Sequence, residues 1–127
     1  MYEDKIVNVT IGGKSFDLYM STAATKVILD KCGSLQDFGE ELEKANDIGS
    51  ILTTCPWLIV LLANEGTRLH NFEHPDDQRM TLTEELIDLL TTPAEVFELS
   101  GAAVAAFRNG LHRNIESEDD SKNAEVG

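Results

Sequence analysis

The stretch 48–63 constrains this chain more than any other. Ile48, Ile51, Leu52, Cys55, Leu58, Ile59 and Leu62 recur at spacings of three, one, three, three, one and three, the stripe that one helical face requires. Trp57, Val60 and Leu61 widen the stripe until the segment is apolar nearly all round. Such a helix belongs at the centre of a fold, with other elements packed on several of its sides. Pro56 interrupts it. An interior proline removes one backbone hydrogen bond and clashes with the preceding turn, which predicts a kink near Thr53 or a fresh start at Pro56. The longest unbroken apolar run, 57–63, falls far short of the roughly 20 residues of a membrane-spanning helix, so no membrane partner is expected.

The elements that cover this helix are legible on both sides of it. Residues 5–20 read as a β-hairpin: Val7, Val9 and Ile11 alternate, Gly12-Gly13 supplies a tight turn, and Phe16 and Leu18 resume the alternation. With the two glycines as the loop, Ile11 faces Lys14, Val9 faces Phe16 and Val7 faces Leu18, so the large apolar pairs share one face. A lone hairpin is barely stable in water, and this face needs helices beneath it. Ser21 or Thr22 caps a helix with Ala24, Val27, Ile28 and Lys31 along one side, ended by Gly33. Residues 35–45 form an amphipathic helix through Leu35, Phe38 and Leu42, with Asp37, Glu40, Glu41 and Glu43 on a wet face. Residues 65–80, rich in Gly, Asn, Asp, Pro and His, read as a long loop. Thr81-Leu82-Thr83-Glu84 then opens a short helix through Leu90. Thr92-Pro93-Ala94-Glu95 opens the last helix, which runs to about His112 with Val96, Leu99, Ala103 and Phe107 inward. The sum is a mainly α fold with a small N-terminal β-hairpin (α+β): a compact bundle of about five helices packed on the hairpin, as one domain over 1–113. Residues 114–127 carry five acids against Lys122 and no periodic apolar residues, and they read as a disordered acidic tail.

Charge narrows the function. With 23 acidic and 10 basic side chains the chain carries net −13 over 127 residues. It has no Lys/Arg cluster to neutralise phosphates, and an anionic bilayer would repel it, so neither nucleic acid nor membrane is an expected partner. Met1-Tyr2-Glu3-Asp4 is not the opening of a secretory signal, which points to the cytoplasm. There, Cys32 and Cys55, both on apolar sides of helices, are expected as buried free thiols.

The chemistry-bearing patterns are weak. His70 and His74 have the spacing of a two-histidine metal site on a helix, but Asn71 and Pro75 argue against a helix there. No third ligand lies close. Neither cysteine has an activating context, and no GxSxG or phosphate-cradling motif occurs; Gly12-Gly13-Lys14-Ser15 belongs to the hairpin turn. No enzyme, metal or cofactor is expected. Protein binding is, and its candidate residues are Trp57 and the small face of the last helix at Gly101, Ala102 and Ala105, where another helix could approach closely. That second surface serves either packing within the domain or a homo-oligomer, and Trp57, within the most apolar helix, is first a core residue and only then an interface one.

The order of elements adds a resemblance. The hairpin VNVTIGGKSFDLYM (7–20) feeds STAATKVILDKCGSLQDFGEEL (21–42). ILTTCPWLIVLLANEG (51–66) and LTEELIDLLTTPAEVFELSGAAVAAFRNGL (82–111) follow. Over residues 5–112 this resembles the tail assembly chaperones of long-tailed bacteriophages and prophages. The resemblance implies a protein of the bacterial cytoplasm that coats the tape-measure protein, recruits tail-tube protein around it, and is absent from the mature virion. It implies no catalytic or cofactor residue. The competing expectation from charge alone is an acidic cytosolic regulator or inhibitor that binds a basic partner.

Overall fold

The computed structural model describes residues 3–112. The tail expected over 114–127 lies outside the described residues. Among them are two strands, β1 (Ile6–Ile11) and β2 (Lys14–Tyr19), preceded by a single 3-10 turn at Glu3–Lys5. Five helices follow: α1 (Thr22–Cys32), α2 (Leu35–Lys44), α3 (Ile48–Glu73), α4 (Glu84–Leu90) and α5 (Pro93–Leu111). The fold is mainly helical with a small antiparallel hairpin, as the sequence predicts.

The hairpin register is the one read from alternation: Val7 opposite Leu18, Val9 opposite Phe16 and Ile11 opposite Lys14. Gly12 and Gly13 take φ of 60° and 80°, the mirror-image turn that a two-residue hairpin needs. Phe16 and Leu18 are buried against α3 and α5, and Val7 and Val9 pack at the margin of the same core. At the far end of the sheet, the Lys5 ammonium donates to the carbonyls of Asn109 (2.9 Å) and His112 (2.8 Å). A cation there meets the negative end of the α5 dipole.

α3 is the centre. Ile51, Cys55, Leu58, Ile59, Leu62 and Ala63 are buried, and the helix packs on β2, α5, α4 and α1. It departs from the sequence reading in three ways. It runs unbroken through Pro56, so the helix does not start afresh at the proline. Proline inside a helix costs about 3 kcal/mol, and the buried apolar residues on both sides of Pro56, each worth about 1.5–3 kcal/mol, outweigh that cost. Second, α3 continues to Glu73, so residues 65–73 are helix and not loop. What drives them is tertiary: Gly66 and Thr67 are buried, and the Glu65 carboxylate accepts from the Ser21 hydroxyl at the start of α1 and pairs with Arg68 at 2.6 Å. Third, Ile48 and Leu52 belong to the apolar stripe by spacing yet are 45% and 42% exposed. As a whole, α3 is long and apolar enough by length and composition to cross a bilayer, although no unbroken apolar run in it is; 44% of its most apolar stretch is buried within the protein.

The chain returns from α3 through residues 74–83, held by two side-chain amides of the helix. Asn64 donates to the Leu82 carbonyl (2.9 Å) and accepts from its N–H (2.7 Å). Asn71 does the same with Arg79, at 3.2 and 2.8 Å. The amides stand in for a neighbouring strand and leave the backbone of this segment paired. α4 is capped by Thr83, whose side chain accepts from the Leu86 N–H, so the expected Thr81 cap is displaced by one helical half-turn. The Thr92–Glu95 capping box has both of its bonds. In α1, Ala24 and Ile28 face the core, but Val27 is 44% exposed and Lys31 lies outside the apolar side assigned to it.

Candidate interaction surfaces

Trp57 lies in the wall of a groove between α2 and α3. The packing of α2 explains its position: Phe38, at the centre of the amphipathic stripe, is fully buried and meets Trp57 edge-on at 5.9 Å (76°) and Phe107 of α5 at 5.5 Å (72°). Edge-to-face pairs of this kind add about 0.5–1.5 kcal/mol beyond their burial. Phe38 thus takes the core position, and Trp57 is left half-buried with part of its ring toward the groove. Lys31 of α1 covers that ring, its Nζ 4.8 Å from the ring centroid. A cation over an indole face is held by the ring quadrupole.

The groove is lined at this end by Lys31, Phe38, Glu41, Thr53, Thr54 and Trp57, around a space of about 150 Å³. Glu41, Thr53 and Thr54 also line a wider space of about 360 Å³ that runs on past Lys44, Ala45, Gly49 and Ser50. The two adjoin at these shared residues. On the α3 side, every lining residue before Trp57 is small, which keeps the groove open. Of the exposed acids of α2 read from the sequence (Asp37, Glu40, Glu41 and Glu43), Glu41 lines the groove, together with Lys31 and Lys44. Arg108 of α5 pairs with Glu43 at 3.1 Å, both largely exposed.

Cys32 ends α1 beside this region. Burial pushes its thiol up, the Glu41 and Asp37 carboxylates add to the rise, and Lys31 partly opposes it. It is therefore a neutral thiol at pH 7 and a slow nucleophile. Cys55 is buried and Cys32 half-buried, and both are free. Burial as expected holds fully only for Cys55.

The small face of α5 lies elsewhere. Gly101 and Ala105 are exposed, Ala102 is half-buried, and nothing stands within 4 Å of a β-carbon placed on Gly101. Phe97, 46% exposed, continues the same line. At about 100° per residue, Gly101 and Ala105 point roughly 200–240° around the helix from Phe107, away from the aromatic cluster. Packing within the domain is done instead by Ala103 and Ala106, both fully buried. Trp57 and the Gly101–Ala105 face are therefore two separate surfaces.

His70 and His74 sit on the last turn and the cap of α3, contrary to the loop expected there, with ring centroids 4.7 Å apart. His70 Nε2 lies 2.9 Å from the Asp77 carbonyl and 3.3 Å from its carboxylate. Among the described residues, no group of three or more His, Cys, Asp or Glu side chains is placed to hold a metal ion. Lys31, Thr53, Thr54 and Glu41 were not singled out by sequence, because periodicity ranks apolar positions and carries no sign of which polar ones meet across two helices. Set against known protein families, curated proteins and solved structures, the chain matches none.

Proposed function

We propose that the chain is an assembly chaperone that holds a long helical partner in solution, in the manner of the phage tail assembly chaperones it resembles, acting in the bacterial cytoplasm on a tape-measure protein and its tail-tube partner. The observation that carries this reading is the Trp57 groove. A half-buried indole in an open groove between two helices, bordered by small polar side chains, suits a helical segment that presents an apolar residue. Lys31 on the indole is a weak contact of the chain with itself, and a partner's side chain can replace it. Contacts of this strength, repeated along a long chain, coat it without trapping it, and the net charge of −13 keeps the assembly dissolved.

The test is co-expression with the tape-measure protein encoded in the same genome. Wild type should keep that protein soluble and co-elute with it. Trp57→Ala should fold, since Phe38 keeps its core position, and lose about tenfold or more of the co-eluting protein, as hot-spot tryptophans do. Retention of a basic DNA-binding protein in its place would favour the acidic-inhibitor reading, for which the exposed carboxylates of α2 are the supporting feature. Retention of nothing would sink both.

A further inference from the structure

In a chain with 23 acidic and 10 basic side chains, a cavity whose charged lining is wholly basic stands against the background. The tip of the hairpin and the segment returning from α3 border such a cavity, open to solvent and about 430 Å³, lined by Lys14, Ser15, Phe16, Gln78, Arg79 and Met80. Its size falls within the range of about 300–1,000 Å³ usual for small-ligand sites.

Each cation is placed for a reason. Lys14 alternates with Phe16 and Leu18 on the inner face of β2, so its stem leaves the sheet on the core side. Its ammonium has no hydrogen-bond or ion-pair partner among the described residues. Arg79 is fixed twice. The Asn71 amide pins its backbone, with the N–H donating at 2.8 Å, and Nη1 lies 3.4 Å from the Asp17 carboxylate. Asp17 is engaged a second time by the Asn8 amide at 2.8 Å. The guanidinium thus keeps donors to spare while its position is set before any ligand arrives. Phe16, 2% exposed, forms an apolar wall, and Met80, 49% exposed, faces it with a flexible thioether.

We propose that this cavity binds a carboxylate carried on an apolar body, with the carboxylate between Lys14 and Arg79 and the apolar part against Phe16 and Met80. The planar guanidinium fork matches a carboxylate, and Lys14 supplies the uncompensated charge. Two sources share this chemistry, a free aliphatic acid and the carboxyl end of a peptide with an apolar last residue. The site is independent of the Trp57 groove and stands or falls apart from the chaperone reading.

Calorimetric titration of the full chain at low ionic strength decides it, with four probes: hexanoate, hexan-1-ol, acetyl-Leu-Phe with a free carboxyl, and the same dipeptide as its amide. At least one acid should bind about tenfold or more tighter than its neutral counterpart, the worth of one charge-assisted hydrogen bond. Binding of hexanoate alone assigns the free acid, and binding of the peptide acid assigns a chain end. Lys14→Gln should weaken that binding about tenfold with the melting temperature unchanged, while Lys26→Gln, on the exposed side of α1, should leave it as it is. Equal binding of acid and neutral probe, undiminished binding by Lys14→Gln, or no heat from either acid at about 10 mM would overturn the proposal.

Discussion

At Gly66 the backbone of α3 comes against the Asp17 carbonyl of β2, and a β-carbon there would collide with that oxygen. At Gly101, on the open side of α5, the same β-carbon meets nothing within 4 Å. One substitution should therefore have opposite signs at the two sites. Gly66→Ala is expected to cost about 1–3 kcal/mol, because β2 must shift. Gly101→Ala is expected to add about 0.5–1 kcal/mol through the better helix former. Urea titration of both variants checks this, and a destabilised Gly101→Ala would show that the face is already packed. Asp47 makes a second prediction at this scale. Its carboxylate caps α3, held below the ordinary 3.8 first by the Ser50 N–H at 2.7 Å and then by the Ser50 hydroxyl. A depressed carboxyl stabilises the fold above its unfolded value and loses that contribution as the pH falls through the folded one. Asp47→Ala should melt below wild type at pH 7, and the gap should close as pH drops below about 3.8, whereas Asp47→Asn should retain most of the cap. A gap that is constant with pH would mean the charge plays no part.

At the scale of elements, the segment returning from α3 depends on Asn64 and Asn71. Replacing either with Leu leaves the backbone groups of Leu82 or Arg79 unpaired, at about 1–3 kcal/mol each. Hydrogen exchange should quicken at the Leu82 amide in Asn64→Leu and at the Arg79 amide in Asn71→Leu. Slow exchange at both in the double variant would show that other contacts hold the segment. These asparagines also show why part of the fold was hidden in the sequence. The hairpin was legible to its register, because alternation and Gly12-Gly13 are local signals. So were the caps at Ser21 and Thr92, each of which satisfies N–H groups within its own turn. The second half of α3 was not legible. Asn64, Gly66, Thr67 and Asn71 are poor helix formers taken singly, and their reasons are partners distant in sequence: Leu82, Asp17, Met80 and Arg79. Trp57 was legible as a candidate, but its groove was not, since Lys31 and Glu41 reach it only once α1 and α2 have folded back on α3.

For the molecule as a whole, the excess of acid is the governing quantity. Exposed carboxylates repel one another, and the exposed pair Arg108–Glu43 returns little against that. The melting temperature should rise as sodium chloride goes from about 10 mM to 150 mM and the screening length shrinks from about 30 Å to 8 Å. A fall over that range would mean attractive pairs outweigh the repulsion. The Lys5 contact with Asn109 and His112 has a different consequence, one of timing on the ribosome. It joins residues 104 and 107 positions apart, so it forms only after α5 has been made. At about 5–20 residues per second, the hairpin waits roughly 5–20 s between its own synthesis and that of the helix that closes over it. α3 emerges earlier and can cover β2, but the part of the apolar face that α5 covers stays open to other chains for that interval, and a protein emerging beside it can be met before the fold has shut.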